Sequence, residues 1–231
     1  MTITTLTTNA MPPARHFSAE ECADLAQAGI IDADEQAAVL AGSRLFTVTE
    51  YLDMEVAGVL HEDDRVELMD GVVIVMPPIG YPHEASTDWL TRLFVPPLIG
   101  RAIVRVQGSI RLSDSSAPQP DVAVLRERSL NEIGPYFPAD VHLIIEVSDS
   151  TLAYDQGPKL ARYAAAGIPE VWVANLRARE VTAYARPSGS EYASIRTYGA
   201  GDTISPRAFP DVVLAVSDFM PPVGEESDEP L

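Results

Sequence analysis

Between Ala117 and Ala174 the chain carries two short apolar runs, each with one carboxylate at or near its end. Pro120-Asp121-Val122-Ala123-Val124 is the first, and Leu143-Ile144-Ile145-Glu146-Val147-Ser148 the second. Runs this short, bounded by turn residues, read as buried strands that present their acids at the edge of a sheet. Two such acids can share a hard cation. The segment from Asp155 to Gly167 reads as a helix, with Pro158 in its first turn, Leu160 to Ala166 filling it and Gly167 ending it. Lys159 then lies in the first turn. Another strand, Glu170 to Asn175, follows this helix, so at least one parallel crossover is required. The expectation is an α/β fold with a mixed sheet.

Composition singles out that lysine. Of the 16 basic residues, all but Lys159 are arginine. An ammonium is a compact point charge and a guanidinium a planar fork, so a chain that otherwise uses Arg keeps a Lys where the fork does not serve. The competing explanation is a surface lysine that survived a drift in composition.

The rest of the chain fits around this centre. Arg65 to Met76 holds two alternating runs flanking Asp70-Gly71, a dipeptide favoured in two-residue hairpin turns. His83 to Val95 reads as a helix with Trp89, Leu90, Leu93 and Phe94 apolar, ended by Pro96-Pro97. Ala102 to Leu112 reads as a long strand bent at Gln107-Gly108. After Asn175 come short strands over Val181 to Ala185, Tyr192 to Thr197, Thr203-Ile204 and Val212 to Val216.

Residues 1–16 are Thr-rich and aperiodic, and are expected to form a flexible arm. Residues 17–43 align with 46–71 at a constant offset, matching at Phe17/Phe46, Glu21/Glu50, Asp24/Asp53, Ala28/Ala57, Gly29/Gly58, Asp34/Asp63 and Gly42/Gly71. Each unit reads as a helix opened by a Ser or Thr cap and closed by Gly. The first unit lacks a counterpart of Glu67, so it is expected to be a degenerate helical extension packed beside a domain spanning 44–219. Residues 220–231 form an acidic tail.

At 231 residues and 46% hydrophobic content the chain can bury one sizeable core. No apolar run is long enough to span a bilayer, and Met1-Thr2-Ile3-Thr4-Thr5 lacks the basic start and apolar core of a signal peptide, so a cytoplasmic protein without a membrane partner is expected. The single cysteine, Cys22, excludes an internal disulfide and a cysteine metal cage, and is expected to be an apolar filler. The formal net charge of −18 opposes tight binding of nucleic acid, whose affinity comes largely from displaced counterions. Offsetting it needs Arg101, Arg105, Arg111, Arg126, Arg128 and Arg162 gathered on one face, divalent cations bound at the acids, or a partner protein that supplies the basic surface.

The order Pro120-Asp121, then Glu146-Val147-Ser148, then a helix carrying Lys159 and Tyr163 resembles the PD-(D/E)XK nuclease superfamily. More closely, the chain resembles its Uma-two branch of restriction-endonuclease-like proteins. In that branch the lysine expected two residues after the glutamate has moved to the following helix. Here Ser148 stands in the old place and Lys159 on the helix. The resemblance covers roughly Phe46 to Phe219 and includes Gly167-Ile168-Pro169-Glu170-Val171-Trp172.

The resemblance implies a restriction-endonuclease-like core and a metal-dependent endonuclease that hydrolyses phosphodiester bonds of DNA, expected as a homodimer because cutting two strands invites two symmetric sites. Carboxylate-held divalent ions activate water and take up developing negative charge, which makes Asp121 and Glu146 the ligands and Mg²⁺ or Mn²⁺ the expected cofactor. Lys159 orients or activates the water or stabilises charge on phosphate. The family also carries a Glu before the Asp-Gly turn and a His after the Pro-Pro pair. This implies Glu67 as an extra metal ligand, against the solvent side of a hairpin, and His83 as a proton relay or phosphate contact, against a residue bonding locally. Asp155 is expected to cap the helix that presents Lys159 or to support the site from behind its ligands, Tyr163 to bond a site carboxylate or simply to pack, and Ser148 to support Glu146. Trp172 and Trp89 are expected in the core. Two other functions stand beside the nuclease: a non-catalytic interaction or regulatory module that kept the fold, and a metal-dependent hydrolase of small phosphoesters.

Overall fold

The computed structural model describes residues 11–61 and 63–221. The arm expected over 1–16 is therefore described only from Met11, and the acidic tail of 220–231 lies almost entirely outside the described residues. What is described of the arm is held in place: Arg15 donates its N–H to Val73 O at 2.8 Å, and Val75 donates to Pro13 O at 2.9 Å.

The N-terminal helices are α1 (Ala19–Gln27), α2 (Gln36–Leu40) and α3 (Val48–Val56). Ser18 opens α1 and Thr47 opens α3, each in a capping box completed by Glu21 or Glu50, which satisfies two of the amides a helix start leaves unpaired. Gly29 and Gly58 follow in the left-handed region, at φ 73° and 72°. Positions 29 residues apart meet like surroundings in their ion pairs as well. Arg15 reaches Glu21 at 2.9 Å and Asp64 at 3.5 Å, while Arg44 reaches Glu35 at 2.7 Å and Glu50 at 2.5 Å, so each arginine ties an acid of its own unit to one of the other. The rings of Phe17 and Phe46 meet between them, 5.8 Å apart. Cys22, at 1% exposure, fills this core beside Leu25, Tyr51 and Met54.

The hairpin is β1 (Val66–Met69) and β2 (Val72–Val75). Asp70 and Gly71 turn it at φ 51° and 81°, the all-positive geometry that matches the strand twist. Helix α4 (Tyr81–Leu98) runs past Pro96-Pro97 instead of ending there. The fixed φ of proline is itself helical, and in a last turn few backbone bonds are lost. Leu90, Phe94 and Leu98, spaced one turn apart, face the sheet. Trp89 lies off that line, at 45% exposure with the Arg92 guanidinium 4.8 Å over its ring, so it is not the core residue that its apolar character implies.

Strand β3 (Ala102–Val106) stops short of the expected Leu112. Gln107 turns to φ 47°, so the backbone leaves the sheet here, and the Arg105 side chain folds over the bare face of Gly108. Next come β4 (Val122–Arg126), β5 (Val141–Ser148), a helical crossover through α5 (Leu152–Tyr154) and α6 (Leu160–Ala165), then β6 (Glu170–Asn175), β7 (Glu180–Ser188) and β8 (Glu191–Gly199). The six-stranded sheet has the order β3-β4-β5-β6-β7-β8, with β5 and β6 parallel and the other neighbours antiparallel. The short pair β9 (Thr203–Ile204) and β10 (Leu214–Ala215) closes the domain.

Alternation along β5 sorts its side chains between two layers. Leu143, Ile145 and Val147 pack with Phe94 and Trp172 under α4, while Ile144 packs with Tyr163 and Ala164 under α6. Glu146 and Ser148 share the α6 side by period two, which is what sends the glutamate toward Lys159. Among the described residues no helix is long and apolar enough to cross a membrane.

Candidate functional site

The antiparallel register pairs Val122 with Ile145 and Ala123 with Ile144, so one step beyond the strand Asp121 stands beside Glu146. The proline before Asp121 ends the incoming loop, and Val147 N–H holds the aspartate by donating to Oδ2 at 2.8 Å. His83, in the first turn of α4, comes within 3.1 Å of Asp121 Oδ1 through Nε2. Its Nδ1 is buried without a hydrogen-bond partner among the described residues.

Lys159 reaches the same place by an irregularity in the crossover. The helix expected from Asp155 is broken: residues 155–159 form a widened turn in which Gly157 takes the non-helical angles φ −114°, ψ −106°. This extra length points both Tyr154 and Lys159 inward. The Asp155 side chain therefore caps no helix start among the described residues. Its Oδ2 accepts from Ser148 Oγ at 2.7 Å and Thr151 Oγ1 at 2.5 Å, which fastens the start of the crossover to the end of β5. Ser148 thus supports Asp155, and no hydrogen bond links it to Glu146 among the described residues.

The lysine is 2% exposed and lies between two glutamates, 3.1 Å from Glu146 Oε1 and 3.2 Å from Glu67 Oε2. Each glutamate is held by a phenol. Tyr163 donates to Glu146 Oε1 at 2.6 Å, and Tyr154 donates to Glu67 Oε1 at 2.7 Å. Gln119 N–H adds a 3.1 Å bond to Glu67 Oε2. Glu67 is thus buried, not on the solvent side of its hairpin.

Burial lowers the affinity of Lys159 for its proton, but Glu146, Glu67 and Asp155 outweigh that and hold its pKa well above the usual ammonium range. Burial pushes the Glu146 carboxyl well up, Asp155 and Asp121 push it further, and Lys159 and the Tyr163 hydrogen bond only partly oppose them. Asp155 is likewise raised by burial.

These groups open onto a cavity of about 340 Å³. Its walls carry the acids Asp64, Glu67, Asp121, Glu146, Asp149 and Asp155 against the cations Arg65 and Lys159. An excess of carboxylate that burial already penalises is what a divalent cation relieves, and Mg²⁺ needs only one or two carboxylates beside its waters. Asp121 and Glu146 fit that requirement, since the hydrogen bonds to Glu146 fall on Oε1 alone among the described residues. A cage of three or more His, Cys, Asp or Glu is not assembled among the described residues.

Two members of this cavity, and Tyr154 behind it, carry no signal in the sequence. Tyr154 ends the short helix α5 just before the widened turn, Gln119 lies in a loop, and Arg65 looks like one more strand-flanking arginine. Of the six arginines expected on one face, Arg105, Arg126 and Arg128 gather around Tyr136 and Asp140, and none of the six lines the acidic cavity. Arg101 pairs with Asp211, Arg111 with Asp114, Arg126 and Arg128 with Asp140, and Arg162 with Asp70, while Arg105 stacks over Tyr136.

A protein-family profile described as "Putative restriction endonuclease" matches residues 48–217. Nothing among the curated proteins matches the chain. Among solved structures, a protein of Anabaena variabilis described as a "putative nuclease belonging to DUF820" superposes with a TM-score of 0.57 at 18% identity, over 76% of this chain and 97% of that one. At that identity the likeness carries the fold, a nuclease-like α/β architecture.

Proposed function

The chain belongs to the Uma-two family of restriction-endonuclease-like proteins, and from that premise we propose that it hydrolyses phosphodiester bonds of DNA with the help of a divalent cation. The observation that carries the proposal is Lys159, buried and charged between Glu146 and Glu67 at the wall of an acidic cavity that also holds Asp121. Asp121 and Glu146 would hold Mg²⁺ or Mn²⁺. When bound, the ion supplies a Lewis acid and lowers the pKa of a water.

The chain's own groups do the rest. The raised pKa of Lys159 keeps it an ammonium, so it serves as a hydrogen-bond donor to the attacking water or a phosphate oxygen, not as the base. Glu67 fixes the lysine from the other side, in place of acting as a third ligand. His83 orients Asp121 through Nε2. Arg65 gives the phosphate a guanidinium to meet.

A second reading, hydrolysis of small phosphoesters, is favoured by one observation: the arginines that would grip a duplex are paired with carboxylates. Cleavage of supercoiled plasmid at low salt with Mg²⁺ or Mn²⁺ tests the proposal, with wild type beside folded Lys159→Ala and Asp121→Ala. Nicking by wild type alone supports it. Equal inertness of all three, with turnover of a chromogenic phosphodiester by wild type, selects the second reading. Inertness on both substrates without metal binding leaves a non-catalytic module.

A further inference from the structure

A second cavity, of about 440 Å³, adjoins the first and shares with it the wall made by Met76, Pro77, Pro78, Ser150 and Thr151. Beyond that wall their chemistry diverges. The first is lined by six carboxylates, whereas the second has no charged side chain in its lining among the described residues. Its remaining surface is Met11, Pro12, Pro13, Val75, Ala153 and Tyr154. Met11 is 44% exposed and Val75 38%, so this apolar wall is open to a ligand. Tyr154 joins the two cavities: its hydroxyl is fixed on Glu67, and its ring lies 5.9 Å from Lys159 Nζ.

We infer that this second cavity is a nucleobase subsite, which takes an unstacked base of a single strand whose phosphate lies in the first. The inference rests on the phosphodiesterase reading above and adds the form in which the substrate is presented. A phosphodiester at Lys159 carries a nucleoside on each side, and the second cavity offers it a surface that is both contiguous and free of charge. Tyr154 is itself buried behind the wall, so the surface offered is the flat faces of Pro12, Pro13, Pro77 and Pro78 with the thioethers of Met11 and Met76, which suit the π-face of any base without reading its edge. A base inside a duplex cannot reach such a pocket without leaving the stack, so the strand enters unpaired or with that base turned out. Contact with a neutral base also suits a protein of net charge −18, since it draws on no counterion release.

The test uses the full chain in EDTA and a trinucleotide bearing one 2-aminopurine, compared in competition with the same sugar-phosphate carrying base-free spacers throughout. The base-bearing strand is expected to bind at least about fivefold more tightly, the lower end of the range for one stacked base. Ala153→Trp, which fills the cavity from the exposed side, is expected to abolish that preference. Equal affinity for the two strands overturns the inference, as does a complete lack of binding or a preference unchanged in folded Ala153→Trp. The comparison of strands needs no variant, so it decides the matter even where Ala153→Trp fails to fold. A ribose version of the labelled strand tells whether DNA or RNA supplies the base. Hydrolysis with Mn²⁺ is followed in parallel. Base-dependent binding without cleavage keeps the subsite and removes the nuclease reading, and equal cleavage of base-free strands does the reverse.

Discussion

The hydroxyl of Tyr154 donates a 2.7 Å hydrogen bond to Oε1 of Glu67, joining the crossover to a hairpin 87 residues earlier in the chain. Both groups are buried, and burial holds the phenol well above its ordinary pKa, so it remains a neutral donor at working pH. Tyr154→Phe leaves a buried carboxylate oxygen without this donor, which costs about 1–3 kcal/mol. Urea unfolding should show that loss with an unchanged m-value, together with slower plasmid nicking and retained Mn²⁺ binding.

Removing the lysine itself has a pH-dependent cost. Lys159→Met leaves Glu146 and Glu67 facing one another with no cation between them, a loss of about 3–5 kcal/mol at pH 8. At pH 5 protons replace part of the missing charge, so the loss shrinks. Chemical denaturation at the two pH values checks this. Lys159→Arg should be inactive as well, since the buried space accepts a point charge and not a planar fork.

The metal assignment separates three carboxylates. Asp121→Asn and Glu146→Gln should abolish Mn²⁺ binding in isothermal titration, and Glu67→Gln should leave it within a few-fold of wild type, because Glu67 is committed to Lys159, Tyr154 and Gln119. Loss of binding in all three would return Glu67 to the ligand set.

How far the site is legible in the sequence follows from the type of backbone that carries each residue. Asp121 and Glu146 sit on or beside regular strands, where period-two alternation and a proline boundary decide their position. The Asp70-Gly71 turn is equally legible, since few dipeptides tolerate two positive φ values. Asp155 reads as a cap but is none, because Gly157 breaks the helical phase and no periodicity rule anticipates an inserted widened turn. The same insertion conceals Tyr154, which in an unbroken helix would lie on a different face from Lys159. Trp89 is misplaced when an apolar side chain on an amphipathic helix is assigned inward on character alone, without its angular offset from Leu90 and Phe94.

His142 gives a pH dependence away from the site. It lies edge-on to Phe209, with ring centroids 5.3 Å apart, and burial lowers its pKa below the ordinary 6.5. A depressed histidine lets the unfolded chain take up its proton first as pH falls below 6.5, so this contribution to stability is present above that pH and lost below it. Unfolding free energies between pH 7.5 and 5 should fall with acidification, and His142→Asn should flatten that part of the slope.

The family match begins at residue 48, but the backbone bonds from Arg15 to Val73 and from Val75 to Pro13 lie across that boundary. A chain shortened to the matched region would leave one side of β2 as an open strand edge and strip Phe17, Cys22 and Leu25 from the core shared with Tyr51 and Met54. Such an edge is a template for strands of other molecules. Residues 11–47 thus act as a built-in guard against aggregation, and trimming to the family boundary would yield self-associating material in place of a minimal enzyme.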